Sequence, residues 1–268
     1  MSPANPAILV LAASRRGAGD SVARLQGKSH KCLVDLAGMA MIERVLRALF
    51  DSGRCAIAYV SIESETVLRE VPAVAEWLDR GKVVVVESKG NLADSVIAAI
   101  ACIDTPLPMI ITTGDNALHT PELVRDYVDM FMAAKGDVSV AFTHEDDVVA
   151  EFPQSGLAFH RLKDGGFSSC NLYGLRNRRA VDTVRVFEGG GQFGKRHWRI
   201  LKAFGIVPFL LYKLKATTCQ GLMDRIGHNL GVSVDSHMLP YSYAPIDVDN
   251  PFSFALTEKA LLARRDAP

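Results

Sequence analysis

Three stretches of this sequence carry residues whose types and spacing suit phosphate and cation chemistry. Ser14-Arg15-Arg16-Gly17-Ala18-Gly19 mixes small residues, which let a backbone approach an anion closely, with guanidinium groups that neutralise it. Lys31 follows at the head of a second apolar segment, Cys32 to Leu36, so the whole stretch suits a triphosphate cradle; a solvated basic loop is the competing reading. Ile110-Ile111-Thr112-Thr113-Gly114-Asp115-Asn116 sets one carboxylate directly behind a glycine at the end of an apolar run, where it can hold a hard cation through oxygen. Thr120, just ahead of Pro121, is better placed than Asp115 to cap the helix that follows. Ile246-Asp247-Val248-Asp249-Asn250-Pro251 offers two more carboxylates on alternate residues, hence on one side of an extended chain, with helix capping as the competing role of Asp249. Two better-known phosphate motifs fail here: Val22 stands where a dinucleotide fingerprint needs its third glycine and where a P-loop ending at Gly27-Lys28-Ser29 needs its first.

These loops need strands that end where they begin. Ala7 to Ala13 is a continuous apolar run of the kind buried on both faces of a parallel sheet, and Ile57–Ile62, Val83–Val86, Met109–Thr113 and Val138–Phe142 repeat the type. Helical patterns lie between them at Met41–Ser52, Leu92–Ile103 and Pro121–Ala134. The alternation predicts a doubly wound α/β sheet whose ligands sit beyond the carboxyl ends of its strands. After about residue 150 it breaks into a less regular, Gly-rich and basic region; Tyr241–Val248 then reads as a return to the sheet and Phe252–Arg264 as a last helix.

With 268 residues, 49% of them hydrophobic, the chain can bury a large core. Thirty basic and 30 acidic residues cancel, so no global field draws it to nucleic acid, no nucleic-acid motif is present, and an anionic partner must be met locally. Five cysteines, an odd number without CxxC spacing, argue for reduced thiols and a cytoplasmic protein. The first residues lack a basic stretch, and neither Ala7–Ala13 nor Phe204–Leu214 is long enough to cross a bilayer.

Taken together, Leu11-Ala12-Ala13-Ser14-Arg15, Lys31 with Leu33 and Gly38, the helix Met41-Ile42-Glu43-Arg44-Val45-Leu46, Gly114-Asp115 and Asp249-Asn250-Pro251 resemble the MobA-like nucleotidyltransferase superfamily. That group includes molybdenum-cofactor guanylyltransferase, methylerythritol-phosphate cytidylyltransferase and sugar-phosphate nucleotidyltransferases. The likeness covers residues 7–145 and, less fully, 241–265. It implies a Rossmann-like, GT-A-like α/β fold with a mostly parallel sheet: a nucleotide-binding core over 1–150, an irregular acceptor-side insertion over 151–240 and a return to the core over 241–268, all within one domain. It also implies an enzyme that uses Mg²⁺ or Mn²⁺ to join a nucleoside triphosphate to a phosphorylated small-molecule or lipid-precursor acceptor, releasing pyrophosphate. On the same resemblance Arg15 and Lys31 act on the phosphates, and Ala12, Ala13, Ser14, Arg16 and Gly17 wrap the triphosphate. Asp115, behind Gly114, and Asp249 hold the metal, with Asp247 the alternative second ligand; Asp94 and Ser95, within Ala93-Asp94-Ser95-Val96, meet the nucleobase and ribose.

The sequence departs from that pattern at Ser14, where a glycine is usual, in the long loop to Lys31, and at His30, where proline is common. Residues 150–240 match none of the three named enzymes, which makes them the place for acceptor specificity. There Arg176, Arg178, Arg179 and Arg185, then Lys195, Arg196, Arg199 and Lys202, concentrate positive charge beside the apolar stretch Phe204–Tyr212. A solvated basic face, an anionic acceptor site and a surface for anionic lipid are the three readings. Asn171, whose amide both donates and accepts, is a further acceptor-side candidate. Two rivals differ in placement: a nucleotide-sugar glycosyltransferase wants paired aspartates directly after the fourth strand, where this chain has Gly114-Asp115-Asn116, and a non-catalytic nucleotide sensor has no need of Lys31, Asp115 and Asp249 together.

Overall fold

The computed structural model describes residues 5–14, 16–188 and 198–266. The first apolar run forms β1 (Ala7–Leu11); a small hairpin, β2 (Asp35–Leu36) and β3 (Met39–Ala40), leads into α1 (Met41–Asp51). Then follow β4 (Ala58–Ile62), α2 (Glu65–Leu68), α3 (Pro72–Asp79), β5 (Val83–Glu87), α4 (Leu92–Cys102), β6 (Met109–Thr113), α5 (Pro121–Ala133), β7 (Val138–His144) and α6 (Glu145–Glu151). The second half adds β8 (His160–Leu162), β9 (Gly165–Leu175), α7 (Arg178–Thr183), α8 (Trp198–Phe204), α9 (Ile206–Lys213), α10 (Cys219–Leu230), β10 (Val234–Met238) and α11 (Pro251–Asp266). Short polar side chains start several helices: Asn91 accepts from the Asp94 N–H, Thr120 from Leu123 and Asn177 from Ala180.

The main sheet runs β10-β7-β9-β6-β1-β4-β5, with β8 paired to β9. β1 pairs in parallel with both β4 and β6, whereas β9 is antiparallel to β6 and β7. The chain leaves β1 toward β4 and β5, then crosses back to β6, so strand order reverses between β1 and β6 and opens a crevice at their carboxyl ends. Leu11 stands opposite Thr113 at its lip. One face of the sheet packs Ile8, Val10 and Ile110 against α1 and α5; the other packs Leu9, Met109 and Ile111 against α4 and α7, and farther along Phe142 and Phe167 against α10.

Two expectations need correction. Tyr241–Val248 is not a strand: the returning strand is β10, parallel to β7, and residues 241–248 form turns that run back toward β6. Turn chemistry explains it, since Pro240 and Pro245 cannot donate ladder hydrogen bonds. The less regular middle region also supplies the long strand β9 at the sheet centre, which its glycines and a bulge conceal. Between Val140, opposite Tyr173, and Phe142, opposite Ser169, β9 has two residues more than β7. Asn171 sits in that bulge with φ of 53°, a left-handed conformation that asparagine tolerates better than most residues.

Close packing is tested most sharply at Gly174 in β9, where an added Cβ would lie 2.5–3.0 Å from three ring atoms of Phe131. Gly174→Ala should lower the unfolding free energy by about 1–3 kcal/mol in urea titration, and adding Phe131→Leu should recover part of the loss. Equal stability of Gly174→Ala and the wild type would show that the Phe131 ring yields freely.

Candidate active site

The crevice between β1 and β6 collects the charged residues of three distant segments. Gly114 follows β6 so closely against the chain after β1 that an added Cβ would stand 3.0 Å from the Ala12 Cβ and 3.3 Å from its Cα. Asp115 therefore emerges directly over the β1 loop. Its carboxylate accepts a hydrogen bond from Thr113 Oγ1 at 2.5 Å and an ion pair from Lys31 Nζ at 2.6 Å. Lys31 reaches in because the next two residues, Cys32 and Leu33, are buried in the core under α1 and fix the start of a short 3₁₀ turn. The same ammonium lies 2.8 Å from Asp249 Oδ1.

Asp247 and Asp249 arrive on one side of an extended segment, because Ile246 and Val248 between and beside them are buried on the other. Val248 N–H donates to the Asp115 carbonyl at 3.1 Å, tying that segment to the end of β6. One oxygen from each of Asp115, Asp247 and Asp249 lies within 4.8 Å of the others, an all-oxygen set suited to a hard divalent cation. Neither Asp115 nor Asp249 is used as a helix cap: Thr120 caps α5, and Asn250 Oδ1 accepts from the N–H groups of Phe252 and Ser253 at the start of α11.

The electrostatics follow from crowding. Burial opposes the charge of Lys31, but Asp115 and Asp249 outweigh it and hold its pKa above the ordinary value. Burial likewise opposes ionisation of Asp115, yet the Lys31 ammonium and the Thr113 hydroxyl keep its carboxyl below the ordinary range. Asp247 has no cation bonded to it among the described residues; burial, then the charges of Asp115 and Asp249, outweigh the more distant Lys31 and push it up to about 7. Among the described residues its polar contact is the Asn171 amide, which donates from Nδ2 to Oδ2 at 3.4 Å and is delivered by the bulge in β9.

The loop after β1 is a chain of tight turns rather than a strand-to-helix phosphate loop. Gly17 has φ of 47° and starts a 3₁₀ turn, Arg16 is exposed, Ala12 is buried and Ala13 exposed. Arg15 lies outside the described residues. Ser14 N–H donates to Glu63 Oε1 at 2.8 Å, and Glu63 also faces His30 at 3.5 Å. Glu63 is a site residue that sequence reasoning missed; its only signal is its place just after β4, on the same sheet edge. Asp94 is exposed and accepts from the Asn91 amide, while the buried Ser95 hydroxyl accepts from Lys89 N–H and donates to the Asn91 carbonyl, shaping the loop before α4.

The described basic residues of the middle region take different roles. Arg176 turns inward, donating to the carbonyls of Gly136 and Phe131 with its guanidinium 4.7 Å from the Phe131 ring. Arg178, Arg179 and Lys202 are exposed, and Arg185 pairs with Glu188. Lys195 and Arg196 lie outside the described residues.

The chain is similar to known proteins in family and in fold. The family profile described as MobA-like NTP transferase domain matches residues 8–212. A hypothetical transferase from Thermus thermophilus superposes with a TM-score of 0.74 at 24% identity, over 93% of this chain and 99% of that one. CMP:2-keto-3-deoxy-manno-octonic acid synthetase complexed with CTP does so with a TM-score of 0.61 at 14% identity, over 97% and 99% of the two chains. A nucleotidyl transferase from Methanothermobacter thermautotroptrophicus gives 0.53 at 16% identity, again over 97% and 99%. At these identities the superpositions establish the fold. No curated protein sequence matches the chain.

The carboxylate-bearing segment is held by His119, whose ring Nε2 donates to the Ala244 carbonyl at 3.0 Å in a buried position. Burial pushes the imidazole down to about 4 from the usual 6.5. The unfolded chain therefore binds a proton that the folded chain refuses between those values: the stabilisation is complete above pH 6.5 and is lost as pH falls toward 4. Lowering pH from 7.5 to 5 should cost the wild type about 2 kcal/mol through this residue. His119→Gln keeps a donor but cannot titrate, so urea midpoints at the two pH values should differ less in the variant; an identical pH dependence would remove His119 from this role.

Proposed function

Since this chain belongs to the MobA-like NTP transferase domain family and is a nucleotidyltransferase, we propose that it transfers the nucleotidyl group of a nucleoside triphosphate to a phosphorylated acceptor, releasing pyrophosphate, with Mg²⁺ or Mn²⁺ on Asp115 and Asp249. The observation that carries this reading is the Lys31 ammonium seated 2.6 Å from Asp115 and 2.8 Å from Asp249 at the open end of β1 and β6. A position already favourable to one cation, ringed by carboxylate oxygens, fits a divalent ion. Bound there, such an ion would supply Lewis-acid neutralisation of phosphate charge.

The chain's own residues do the rest. A phosphate acceptor is already an oxyanion near neutral pH, its second pKa being about 6, so no strong general base is required. Catalysis is then positioning and charge neutralisation. Lys31, with Arg15 and Arg16 of the early loop, stabilises the departing pyrophosphate; the backbone of Ser14–Gly17 wraps the triphosphate, and the first turn of α4, through Asp94, faces base and ribose. Asn171 orients Asp247 and meets the acceptor side, where Lys195 and Arg196 add positive charge.

Pyrophosphate release from the four ribonucleoside triphosphates, assayed against phosphorylated sugars, polyols and lipid precursors, should identify a productive pair. With that pair and excess Mg²⁺, Asp115→Asn should turn over at least about a hundredfold more slowly with an unchanged circular dichroism spectrum, and Asp249→Ala should lose nearly as much. Lys31→Ala should both weaken triphosphate binding and slow chemistry. Near-normal turnover of Asp115→Asn would overturn the metal assignment.

A further inference from the structure

Nucleotidyl transfer to a small polar acceptor leaves unexplained a cavity of about 170 Å³ between the sheet and the helices α8, α9 and α10. We infer that this cavity receives the hydrocarbon tail of the acceptor, making the acceptor a phosphorylated lipid; the inference rests on the nucleotidyl-transfer reading above. Val140, Phe142 and Phe167 form its sheet side, and Phe204, Leu222 and Ile226 form its helical side.

The cavity leads to the active site. A second cavity of about 180 Å³ shares Val138, Val140, Tyr173, Thr183 and Phe187 with the first, and Leu11, Thr113 and Asn171 line it as well. Thr113 is the residue whose hydroxyl donates to Asp115, and Asn171 is the one whose amide faces Asp247. An apolar passage thus begins at the carboxylate cluster, where the acceptor phosphate must lie, and runs away from it along one face of the sheet.

The walls are almost wholly apolar, and their few polar groups are already paired. His160 and the Tyr212 hydroxyl face each other at 3.2 Å, Ser169 and Tyr173 share a hydrogen bond of 3.0 Å, and Thr183 donates to the Ala180 carbonyl. With its polar groups engaged on one another, the cavity presents hydrocarbon. Close-packed interiors leave few spaces larger than a water molecule, and an apolar space of this size takes up apolar ligands rather than water. The outer side of the same helices is apolar too: Leu201, Ile206, Val207, Leu210 and Leu214 are exposed, Ile206 by 62% and Leu214 by 73%. A lipid acceptor drawn from a bilayer would pass across such a surface, whereas a soluble sugar phosphate has no use for it.

The test compares decyl phosphate, below its micellar concentration, with ethyl phosphate. Binding of each is measured by calorimetry, and pyrophosphate release is followed with the four nucleoside triphosphates. The wild type should bind decyl phosphate at least tenfold more tightly than ethyl phosphate. Val140→Phe, which fills the junction of the two cavities, and Val186→Trp, on the half-exposed rim of the first, should each abolish that advantage while leaving triphosphate binding unchanged. Two variants guard against one that fails to fold, checked by thermal melting. A wild type that binds both phosphates alike, or folded variants that keep the tenfold preference, would overturn the tail site. Tail-dependent binding without pyrophosphate release supports the tail site and counts against nucleotidyl transfer to this acceptor; release without a tail preference does the reverse.

Discussion

Three carboxylates brought within 4.8 Å of one another repel, and partial burial of Asp115 and Asp247 removes much of the water that would screen the repulsion between them, while Asp249 stays exposed. The Lys31 ammonium is the one positive side chain bonded to this cluster among the described residues, and it compensates two of the three. Everything nearby serves to hold that unfavourable collection together. Val248 N–H on the Asp115 carbonyl, His119 on the Ala244 carbonyl, Thr120 against the Tyr243 hydroxyl, and Arg264 on the Leu118 carbonyl and 3.9 Å over the Tyr243 ring pin the late segment to the turn after β6. Most of these ties are buried or half-buried hydrogen bonds, where an unmade bond is costly, so the segment has little freedom to relax its charges apart.

The sheet topology decides where this can happen. Reversal of strand order between β1 and β6 leaves a gap that no crossover fills, and β9, antiparallel beside β6, pairs with it only through Met109, Ile110 and Ile111. Past that point the bulge carries Asn171 out of register and toward Asp247. The site is therefore built from strand ends, one irregularity and the short turn that carries Lys31, and the late loop is tied to it through its backbone as well as its side chains.

Much of this was readable from residue order. The apolar runs of β1, β4, β5, β6 and β7 are buried on one or both faces, and such runs announce themselves without a partner in view. Asp247 and Asp249 could be placed on one side of the chain because period two survives wherever the backbone is extended, even outside a strand. The missing parts are tertiary. β9 opens on Gly165 and Gly166 and is interrupted at Asn171, so its alternation never runs long enough to register. Arg176 resembles its surface neighbours in sequence, and only the Phe131 ring and the two carbonyls beneath it reveal an inward role. Glu63 meets Ser14 across a separation of 49 residues, which no local pattern encodes.

If the proposed site takes a triphosphate and a metal ion, the contact between Glu63 and the Ser14 N–H, set beside Lys31 on its carboxylates, means that the seats for anion and cation are both taken by the chain's own groups. Ligand capture is consequently an exchange of partners and not a filling of bare charge. A cation arriving alone must evict an ammonium that then has nowhere to go, and a bare triphosphate must push a carboxylate aside while facing its charge. A cation already chelated by the triphosphate brings a phosphate for the displaced lysine and a positive charge to offset the displaced glutamate. On the proposed reading, the metal–nucleotide pair is favoured as the unit of entry over either component, a preference that follows from these ion pairs.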